Sequence, residues 1–424
     1  MSKKIGFVVN SFAGGGAERI LGYVVNSIDR SRFSPFLCLL LSPEQSYELS
    51  GDVPVHVLED SPLPFYLKAA AVGFSALAAL PFLHSPSRCS EAFRHSRQVI
   101  EQLISASLGL KAIIDRERPA ALVVFLQTSI VITLLTLIFF RQRLPVVCSD
   151  RILLSHELEG YRFPRLNRML MRLLYRRIDV YLAVSEGVKQ DMASQFGIPD
   201  TRMVTVYNGF DRRMVLERAG EPLSAGEQEL FRRDGLVLIT VGRLMEQKGH
   251  DDLIKAFALL RQSVSCRLIL VGEGDRLDEL RRLAAELGIA DHVEFPGWTS
   301  NPFKLMAAAD VFVLSSRYEG FPNVLLEAMA LGKAVVSTDC PSGPFEILGG
   351  GRYGMLVPPG DHRALAEALH TICTDEAVRN DLQQRSRERA EDFSLERMVA
   401  AYEALLDSLS AGSAVLRSGR KDAA

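Results

Sequence analysis

Two carboxylates, Glu319 and Glu327, stand eight positions apart in the stretch SSRYEGFPNVLLE. Glycine and proline follow Glu319 closely, which predicts a turn, whereas Glu327 lies in an apolar segment that predicts a helix. Proline suits a helix start because its missing N–H would have no intrahelical partner there. We therefore expect the helix to begin at Pro322 or Asn323 and to present free N–H groups to an anion. The carboxylates could bind hydroxyl groups, and the free backbone N–H groups could bind phosphate. This combination suits a sugar nucleotide.

A second charged pair, Arg243 and Lys248, lies in the loop GRLMEQKG between a predicted strand, Leu236 to Val241, and a predicted helix. Arginine offers a forked set of donors and lysine a point charge, so both together next to a helix start indicate a diphosphate clamp. Structural ion pairing is the alternative interpretation. The glutamates follow roughly 75 residues later at the end of another predicted strand. Because ligands bind at the carboxyl edge of doubly wound sheets, we expect the two loops to form one site.

The sequence contains no Asp-x-Asp motif, and its eight histidines do not cluster. A divalent metal that bridges a diphosphate is therefore not expected, and neither is a cofactor. Arg243, Lys248 and the backbone N–H groups of the helix at position 322 would therefore stabilise the negative charge of a leaving diphosphate. Donors that are already in place stabilise such a charge as it develops.

Apolar strands and amphipathic helices alternate along the chain at the spacing of βαβ units. The alternation begins with a strand at Ile5 to Asn10 and restarts at Leu236. Two such runs predict an α/β fold of two doubly wound, Rossmann-like domains that face each other across a cleft. The expected parts are a first domain at 1–207, a second at 208–393, a helix at 394–410 that packs back on the first domain, and a disordered tail at 411–424.

The loop after the first strand is rich in glycine and includes Gly15 and Gly16. It does not match the dinucleotide fingerprint, because Arg19 stands where a third small residue is needed. A tight turn would explain the glycines. The functional interpretation is a backbone that lets a phosphate or sugar come close.

Composition is that of a soluble protein with a large core, since 48% of the 424 residues are hydrophobic and 24% are charged. Residues 1–210 hold 23 Lys and Arg against 18 Asp and Glu, and the remainder holds 26 against 33. The first half is therefore the better match for an anionic surface or ligand. Six scattered cysteines without CxxC spacing argue against a zinc site or disulfides, and the start of the chain lacks a signal peptide. These features predict a cytosolic location.

Three segments of the first half bear on membrane contact. Residues 62–83 are apolar and indicate an interfacial or acceptor-contacting helical region, with an ordinary packed helix as the alternative. Residues 120–140 approach the length of a membrane span, but a buried strand, a turn and cap at Gln127 to Ser129, and a helix explain them better. Residues 162–177 predict a basic amphipathic helix on a membrane surface, with a solvated outer helix as the alternative. Its basic residues are Arg162, Arg165, Arg168, Arg172, Arg176 and Arg177.

Several motifs together resemble the family 4 retaining glycosyltransferases. They are VGRL…QKG at 241–249, GEG at 272–274, ADVFVLSS at 309–316 and EGFPNVLLEAMALG at 319–332. GGAER at 15–19 and DCPSGPFEIL at 339–348 are similar to the branch that builds bacterial surface polysaccharides and lipid-linked oligosaccharides. The resemblance covers nearly the whole chain. It implies a GT-B fold and a metal-independent transfer, with retained anomeric configuration, from a nucleotide sugar that is usually UDP-linked.

The resemblance also implies roles for individual residues. Arg243 and Lys248 would hold the diphosphate. Glu319 would touch the donor sugar hydroxyls as a catalytic residue, and Glu327 would touch the ribose hydroxyls. The other donor-binding residues would be Gly15 and Gly16 at the phosphate end, Gly272 and Trp298 beside the base, and the backbone of Phe321, Pro322 and Asn323 at the phosphate and sugar.

One position departs from the family pattern. Many members carry a histidine just after the strand equivalent to Pro145 to Cys148, where this chain has SDR. Related members of the polysaccharide branch have an acidic residue there, so Asp150 is the candidate for orienting the acceptor or donor sugar. An ion pair of Asp150 with Arg151 or another arginine is the alternative, and His156 is a weaker candidate. No general base is assigned, because the departing phosphate oxygen can take the acceptor proton in a front-face transfer.

The sequence thus predicts a cytoplasmic enzyme, peripheral on the inner face of the plasma membrane. It would move an N-acetylhexosamine or hexose from a UDP-sugar to a glycan on a polyprenyl-diphosphate or similar lipid carrier. Its partners would be the donor, the lipid-linked acceptor and the membrane surface, and not nucleic acid. The alternatives are a soluble small-molecule glycosyltransferase, a GT-B UDP-sugar epimerase and a non-catalytic assembly partner; intact Glu319, Arg243 and Lys248 argue against the last.

Overall fold

A computed structural model describes residues 2–58, 86–161, 163–232 and 235–410. The described backbone forms two parallel sheets with helices packed on their faces, which confirms the predicted α/β fold of two doubly wound domains. The apolar segment 62–83, Arg162 and the tail 411–424 lie outside the described residues. The predictions for those segments therefore stay predictions.

The first sheet is built from strands of the amino-terminal half. Its strands are β1 Lys3–Val9, β2 Phe33–Leu39, β3 Val55–Val57, β4 Ala121–Phe125, β5 Val146–Ser149, β6 Val180–Ala183 and β7 Met203–Thr205. They lie in the order β3-β2-β1-β4-β5-β6-β7. Strands β2 and β3 are added on one side of β1, whereas β4 to β7 are added on the other side. The loops after β1 and β4 therefore diverge and leave a crevice at the carboxyl edge of the sheet.

The second sheet repeats this arrangement. Its strands are β8 Leu236–Val241, β9 Cys266–Val271, β10 Val293–Gly297, β11 Val311–Leu314, β12 Ala334–Thr338 and β13 Met355–Val357. They lie in the order β10-β9-β8-β11-β12-β13, and the side on which strands are added changes between β8 and β11. The loops predicted to carry chemistry follow these two strands, so the topology alone brings them to one crevice.

Helices cover the faces of both sheets. Those of the first half are Gly16–Ser27, Pro86–Glu117, Gln127–Phe139, Leu154–Glu157, Pro164–Tyr175 and Glu186–Asp191. Those that follow are Arg212–Ala219, Ala225–Glu229, His250–Leu260, Leu277–Glu286, Pro302–Ala308, Asn323–Ala330, Pro344–Ile347, His362–Thr374, Glu376–Ala390 and Leu395–Ser410. Among the described residues, no helix has the length and apolar character needed to cross a membrane.

The apolar run 120–140 divides into β4 and the helix Gln127–Phe139, as a strand-and-helix interpretation requires. The expectation that Gln127 to Ser129 form a separate turn and cap is wrong, because the helix already begins at Gln127. Leu126 makes this possible: its backbone is left-handed, with φ at 71°. The chain therefore turns from strand to helix within one residue.

The helix Leu395–Ser410 returns to the first sheet. Its apolar side chains join the cluster formed by β1 and the helix Gly16–Ser27. The buried members are Met398, Val399, Tyr402, Leu406 and Leu409. Lys3 Nζ, at the start of β1, also donates to Asp407 at 2.8 Å. The domain boundaries at 207 and 393 remain our proposal for this chain.

The chain passes between the two sheets twice, and the two passages lie side by side. The backbone N–H of Phe210 donates to the carbonyl of Phe393 at 3.2 Å, and Phe210 forms a parallel bridge with Ser394. A Cβ atom on Gly209 would lie only 2.5 Å from the carbonyl oxygen of Ser394. Glycine at 209 therefore allows the two passages to pack closely.

Candidate active site

The charged loops after β8 and β11 meet through an ion pair. Lys248 Nζ lies 2.6 Å from Glu319 Oε1, which also accepts a hydrogen bond from Ser316 Oγ at 2.6 Å. The Lys248 and Glu319 side chains are 17% and 8% exposed. Lys248 therefore takes part in a structural ion pair, and its partner is the predicted catalytic carboxylate. The ion pair places one cation and one anion together at the carboxyl edge of the second sheet.

Close backbone packing holds these loops in place. Gly249 has φ at 59°, and a Cβ atom there would lie 2.2 Å from the carbonyl oxygen of Ser315. Gly272 has φ at 143°, and a Cβ atom there would lie 2.0 Å from the carbonyl oxygen of Gly242. The loops after β8, β9 and β11 therefore touch backbone to backbone. For Gly272 this packing is an observed reason for glycine, whereas a place beside the base stays a prediction.

Arg243 is exposed in the cleft. Within the part of the chain that the structure describes, no group forms a hydrogen bond or ion pair with its guanidinium. Glu18, on the first domain, lies near it: burial raises the pKa of Glu18, and a backbone hydrogen bond and the Arg243 charge act in the opposite direction. Arg243 is thus a cation that faces the other domain and is available to an anionic ligand.

The helix Asn323–Ala330 begins as predicted, with Pro322 at the cap position and no side chain capping it. Asn323 Nδ2 donates to the carbonyl of Gly16 at 3.2 Å, across the cleft. A Cβ atom on Gly16 would lie 3.2 Å from the same nitrogen. The glycine loop of the first domain, including Gly15, therefore adjoins the uncapped helix N-terminus of the second. This is the place at which the sequence predicts a phosphate.

Phe321 takes a different position from its neighbours. Its ring is 5% exposed and stacks on Tyr207 at 5.3 Å between centroids, with Phe393 at 5.7 Å. The side chain therefore packs on the two passages between the domains. Its carbonyl accepts a hydrogen bond from Asn208 Nδ2 at 3.4 Å. A donor contact through the Phe321 backbone stays a prediction.

Glu327 is almost fully buried, with 4% of its side chain exposed, and forms an ion pair with Arg19 of the first domain. The sequence assigned no role to Arg19 beyond its misfit to the dinucleotide fingerprint. The only signal was its place in the GGAER motif, next to the two glycines. The contact joins residues 308 positions apart, so no local pattern could reveal it.

Trp298 lies at the rim of this edge, directly after β10, with 68% of its surface exposed. The loop that holds it is bonded to the next loop, because Gly272 N–H donates to the carbonyl of Gly297 at 2.9 Å. The structure therefore places Gly272 and Trp298 side by side, on the flank of Arg243. An exposed aromatic ring at that position can stack on a planar base.

Asp150 does not join the other candidates. Its side chain is 1% exposed and accepts hydrogen bonds from the hydroxyls of Tyr175 at 2.7 Å and Tyr181 at 3.0 Å. The alternative pairing with Arg151 is also absent, since Arg151 bonds to Asn208 and to the Tyr402 hydroxyl. As placed, Asp150 cannot orient a sugar, because the side chain turns from the end of β5 into the core.

The residues that follow Asp150 do face the second domain. The His156 ring lies 5.4 Å from that of Tyr318, next to Glu319. A Cβ atom on Gly320 would lie 2.4 Å from the carbonyl oxygen of Arg151, whose φ of 67° is left-handed. The structure therefore reverses the order of the two candidates: His156, the weaker one in the sequence, is the one beside the charged loop.

Comparison with known proteins agrees with this geometry. The model of the family described as Glycosyltransferase Family 4 matches residues 14–213, and that described as Glycosyl transferases group 1 matches residues 225–389. In Campylobacter jejuni subsp. jejuni serotype O:2, N-acetylgalactosamine-N,N'-diacetylbacillosaminyl-diphospho-undecaprenol 4-alpha-N-acetylgalactosaminyltransferase is 28% identical over 396 residues, 92% of this chain and 96% of the relative. The lipopolysaccharide core biosynthesis glycosyltransferase LpsE of Rhizobium meliloti is 33% identical over 251 residues, 59% of this chain and 70% of LpsE.

Solved structures share the fold. HepE of Anabaena, crystallised in complex with UDP and glucose, has a TM-score of 0.72 at 22% identity, over 96% of this chain and all (100%) of that chain. WaaG, a glycosyltransferase involved in lipopolysaccharide biosynthesis, has a TM-score of 0.68 at 15% identity, over 96% and 100%. The two sheets, the cleft between them and both family matches lead to one conclusion: the chain belongs to the family 4 glycosyltransferases and has their GT-B fold.

Proposed function

We propose that this glycosyltransferase moves an N-acetylhexosamine or hexose from a UDP-sugar to a glycan on a polyprenyl-diphosphate or similar lipid carrier. The observation that carries the proposal is the convergence of Arg243, Lys248, Glu319 and the uncapped helix at Asn323 on one cleft. The names of the relatives support it: the Campylobacter enzyme acts on a diphospho-undecaprenol substrate, and HepE binds UDP.

The cleft offers one partner for each part of such a donor. The diphosphate would lie against Arg243, Lys248 and the helix N-terminus, where two cations and free N–H groups offset its charge without a metal. Glu319 would accept hydrogen bonds from hydroxyls of the sugar. The Lys248 ammonium lies beside it, 2.6 Å from Glu319 Oε1. Gly272 and Trp298 would border the base.

The reaction would retain the anomeric configuration. The bond between the anomeric carbon and the β-phosphate oxygen breaks, and the acceptor oxygen forms its bond on the same face of the sugar. The acceptor proton passes to the departing phosphate oxygen, so no dedicated general base is needed. Arg243 and Lys248 stabilise the UDP leaving group, whose negative charge grows as the bond breaks.

A lipid-linked acceptor requires that the enzyme reach a membrane surface, and the helix Pro164–Tyr175 is the element suited to that contact. One side packs on the core through Tyr175. Large apolar side chains on another side are about half exposed, at i, i+3, i+4 and i+7 spacing. They are Leu166 at 49%, Met169 at 52%, Leu170 at 47% and Leu173 at 54%. Exposed Arg165 and Arg172 accompany them and would bind anionic headgroups at the cytoplasmic face.

The first experiment measures UDP release from a panel of UDP-sugars, with and without a polyprenyl-diphosphate-linked glycan. We expect release with one donor and only when the lipid-linked acceptor is present. An epimerase would instead rearrange a UDP-sugar without acceptor, and a small-molecule transferase would release UDP with a water-soluble acceptor alone. An assembly partner would release no UDP under any of these conditions.

The second experiment tests the membrane face by vesicle sedimentation. Neutralising Arg165, Arg168 and Arg172 together should release the protein from vesicles that contain anionic phospholipid. The matched control replaces Arg281 and Arg282, exposed on the second domain, and should leave binding unchanged. Equal binding of the triple variant and the unaltered protein would contradict a membrane contact through this helix.

A further inference from the structure

The ion pair between Arg19 and Glu327 joins the two domains inside the cleft. Arg19 belongs to the first turn of the helix Gly16–Ser27, and Glu327 lies in the second turn of the helix that begins at Asn323. The Arg19 side chain is 20% exposed and the Glu327 side chain 4%. The guanidinium therefore covers the side of the carboxylate that faces the cleft.

The same carboxylate is the proposed partner of the ribose hydroxyls. Only 4% of the Glu327 side chain is exposed while Arg19 is bound to its Oε1, so two neighbouring ribose hydroxyls cannot reach the carboxylate unless the guanidinium moves away. The arginine and the ribose therefore compete for Glu327. Arg19 keeps this buried carboxylate paired, and a buried unpaired charge is strongly destabilising.

Arg19 is also close to the place proposed for the diphosphate. Its backbone N–H donates to the carbonyl of Gly15 at 3.1 Å, which fixes Arg19 one turn from the glycine loop. That loop touches Asn323 through the hydrogen bond to Gly16. The Arg19 guanidinium is bonded to Glu327, four residues into the helix that begins at Asn323, and therefore starts about one helical turn from the uncapped N-terminus. Arginine suits this second position, because its fork of donors matches phosphate oxygens.

We propose that Arg19 is a third cationic ligand of the donor diphosphate, which exchanges its partner Glu327 for phosphate oxygens when the ribose hydroxyls bind Glu327. This inference rests on the proposed function. In the exchange the ribose hydroxyls satisfy Glu327 while the phosphate oxygens satisfy Arg19. Neither charge is left unpaired, and the first domain gains a direct contact with the donor. A nucleoside without phosphate provides hydroxyls for Glu327 but no phosphate oxygens for Arg19.

Calorimetric titration with UDP and with uridine tests the exchange. In Arg19→Gln the affinity for UDP should fall by about tenfold, the scale of one charge-assisted hydrogen bond, whereas uridine should bind equally well or more tightly. Arg30→Gln is the control, because Arg30 pairs with Asp52 on the first domain outside the cleft and should change neither affinity. A loss of the same factor for both ligands, or tighter UDP binding, would overturn the proposal.

A second pair of variants removes the risk that an unpaired Glu327 disturbs folding. Glu327→Gln should weaken both ligands and keep the ratio of UDP to uridine affinity, because Arg19 remains. Adding Arg19→Gln to that variant should lower the ratio by about tenfold. An equal ratio in the two variants contradicts the role of Arg19. If the unaltered protein does not bind UDP at all, the proposed function itself fails.

Discussion

The two sheets have the same strand pattern around their crevices, but the crevices contain different chemistry. In the first domain the loop after β1 meets the helix that follows β4 through a neutral hydrogen bond, from Ser129 Oγ to Asn10 Oδ1 at 2.6 Å. In the second domain the loops after β8 and β11 meet through the Lys248–Glu319 ion pair, also at 2.6 Å. The fold thus supplies a crevice twice, and the second one carries the charged side chains that we propose bind a diphosphate.

The comparison also shows how the first domain takes part. Its contribution near the uncapped helix is backbone at Gly16 and the side chain of Arg19, which reaches Glu327 from a helix rather than from a strand-end loop. The charged crevice therefore belongs to one domain, and the other domain covers it. The variants below compare matched positions in the two domains.

The largest effect is expected at the meeting point of the charged loops. Lys248→Ala should lower the free energy of unfolding by about 3–5 kcal/mol, since it leaves Glu319 nearly buried without its cation. Asn10→Ala, the matched change in the first domain, should lower it by about 1 kcal/mol. Urea unfolding measures both. A smaller loss for Lys248→Ala than for Asn10→Ala would mean that the ion pair is not what distinguishes the crevices.

The same variant reports on the ligand. Lys248→Ala should weaken UDP binding by about 1–3 kcal/mol, the range for a hydrogen bond to a charged group. Lys304→Ala is a control on the same domain, because Lys304 forms an ion pair with Glu227 at 2.7 Å outside the cleft. Unchanged UDP affinity in Lys248→Ala would refute the diphosphate clamp.

The second effect concerns the buried carboxylate of the first domain. Burial raises the pKa of Asp150 from 3.8 to about 6, and hydrogen bonds from Tyr175 and Tyr181 act in the opposite direction. Between these pH values the folded protein binds the proton more tightly than the unfolded chain does. The free energy of unfolding therefore falls as the pH rises, by about 3 kcal/mol in all between pH 3 and pH 7.

Asp150→Asn removes this dependence, because the amide does not ionise. We expect a flatter profile of unfolding free energy from pH 4 to 7, and at pH 7 a variant at least as stable as the unaltered protein. Urea titrations at four pH values provide the measurement. Parallel profiles for the two proteins would show that Asp150 does not carry the pH dependence.

A third, smaller difference tests the loop packing. Gly272 and Gly14 both have positive φ, at 143° and 106°, so an alanine at either position is strained. Only at Gly272 would the new Cβ atom overlap backbone, 2.0 Å from the Gly242 oxygen, whereas at Gly14 the nearest atoms are 3.6 Å away. Gly272→Ala should therefore be less stable than Gly14→Ala by about 1–3 kcal/mol. Equal melting temperatures for Gly272→Ala and Gly14→Ala would argue against tight packing in the second domain.

The smallest effect on stability is expected at Arg243. Because its guanidinium is exposed and unbonded within the described structure, Arg243→Ala should change the free energy of unfolding by less than about 0.5 kcal/mol. The same variant should weaken UDP binding by about 1–3 kcal/mol. Loss of binding with no loss of stability identifies a ligand contact, whereas the reverse would identify a structural residue.

The charged residues of the second crevice could be predicted from the sequence because each one lies just after a strand. Arg243, Lys248 and Glu319 each follow a strand, and parallel strands bring such loops to one edge whatever the rest of the chain does. The start of the helix at Asn323 was also predictable from nearby sequence, because Pro322 lacks an N–H and suits a helix start. These inferences need only the order of the elements.

Contacts between distant side chains were beyond that approach. Arg19 meets Glu327 only after two domains have closed on each other, and the orientation of domains leaves no periodic signal. Asp150 was misplaced because the sequence does not show that the hydroxyls of Tyr175 and Tyr181 converge on it. In both cases the position along the chain was informative, and the direction of the side chain was not.

The paired passages at Phe210 and Ser394 have a consequence for binding entropy. Two adjacent covalent connections allow the domains to rotate about the line of contact between them and restrict twisting and sliding. Most relative orientations of the two half-sites are thus excluded before any ligand arrives. A donor that bound across both domains, as we propose, would lose less orientational freedom than with a single flexible connection, so more of its contact energy would remain as affinity.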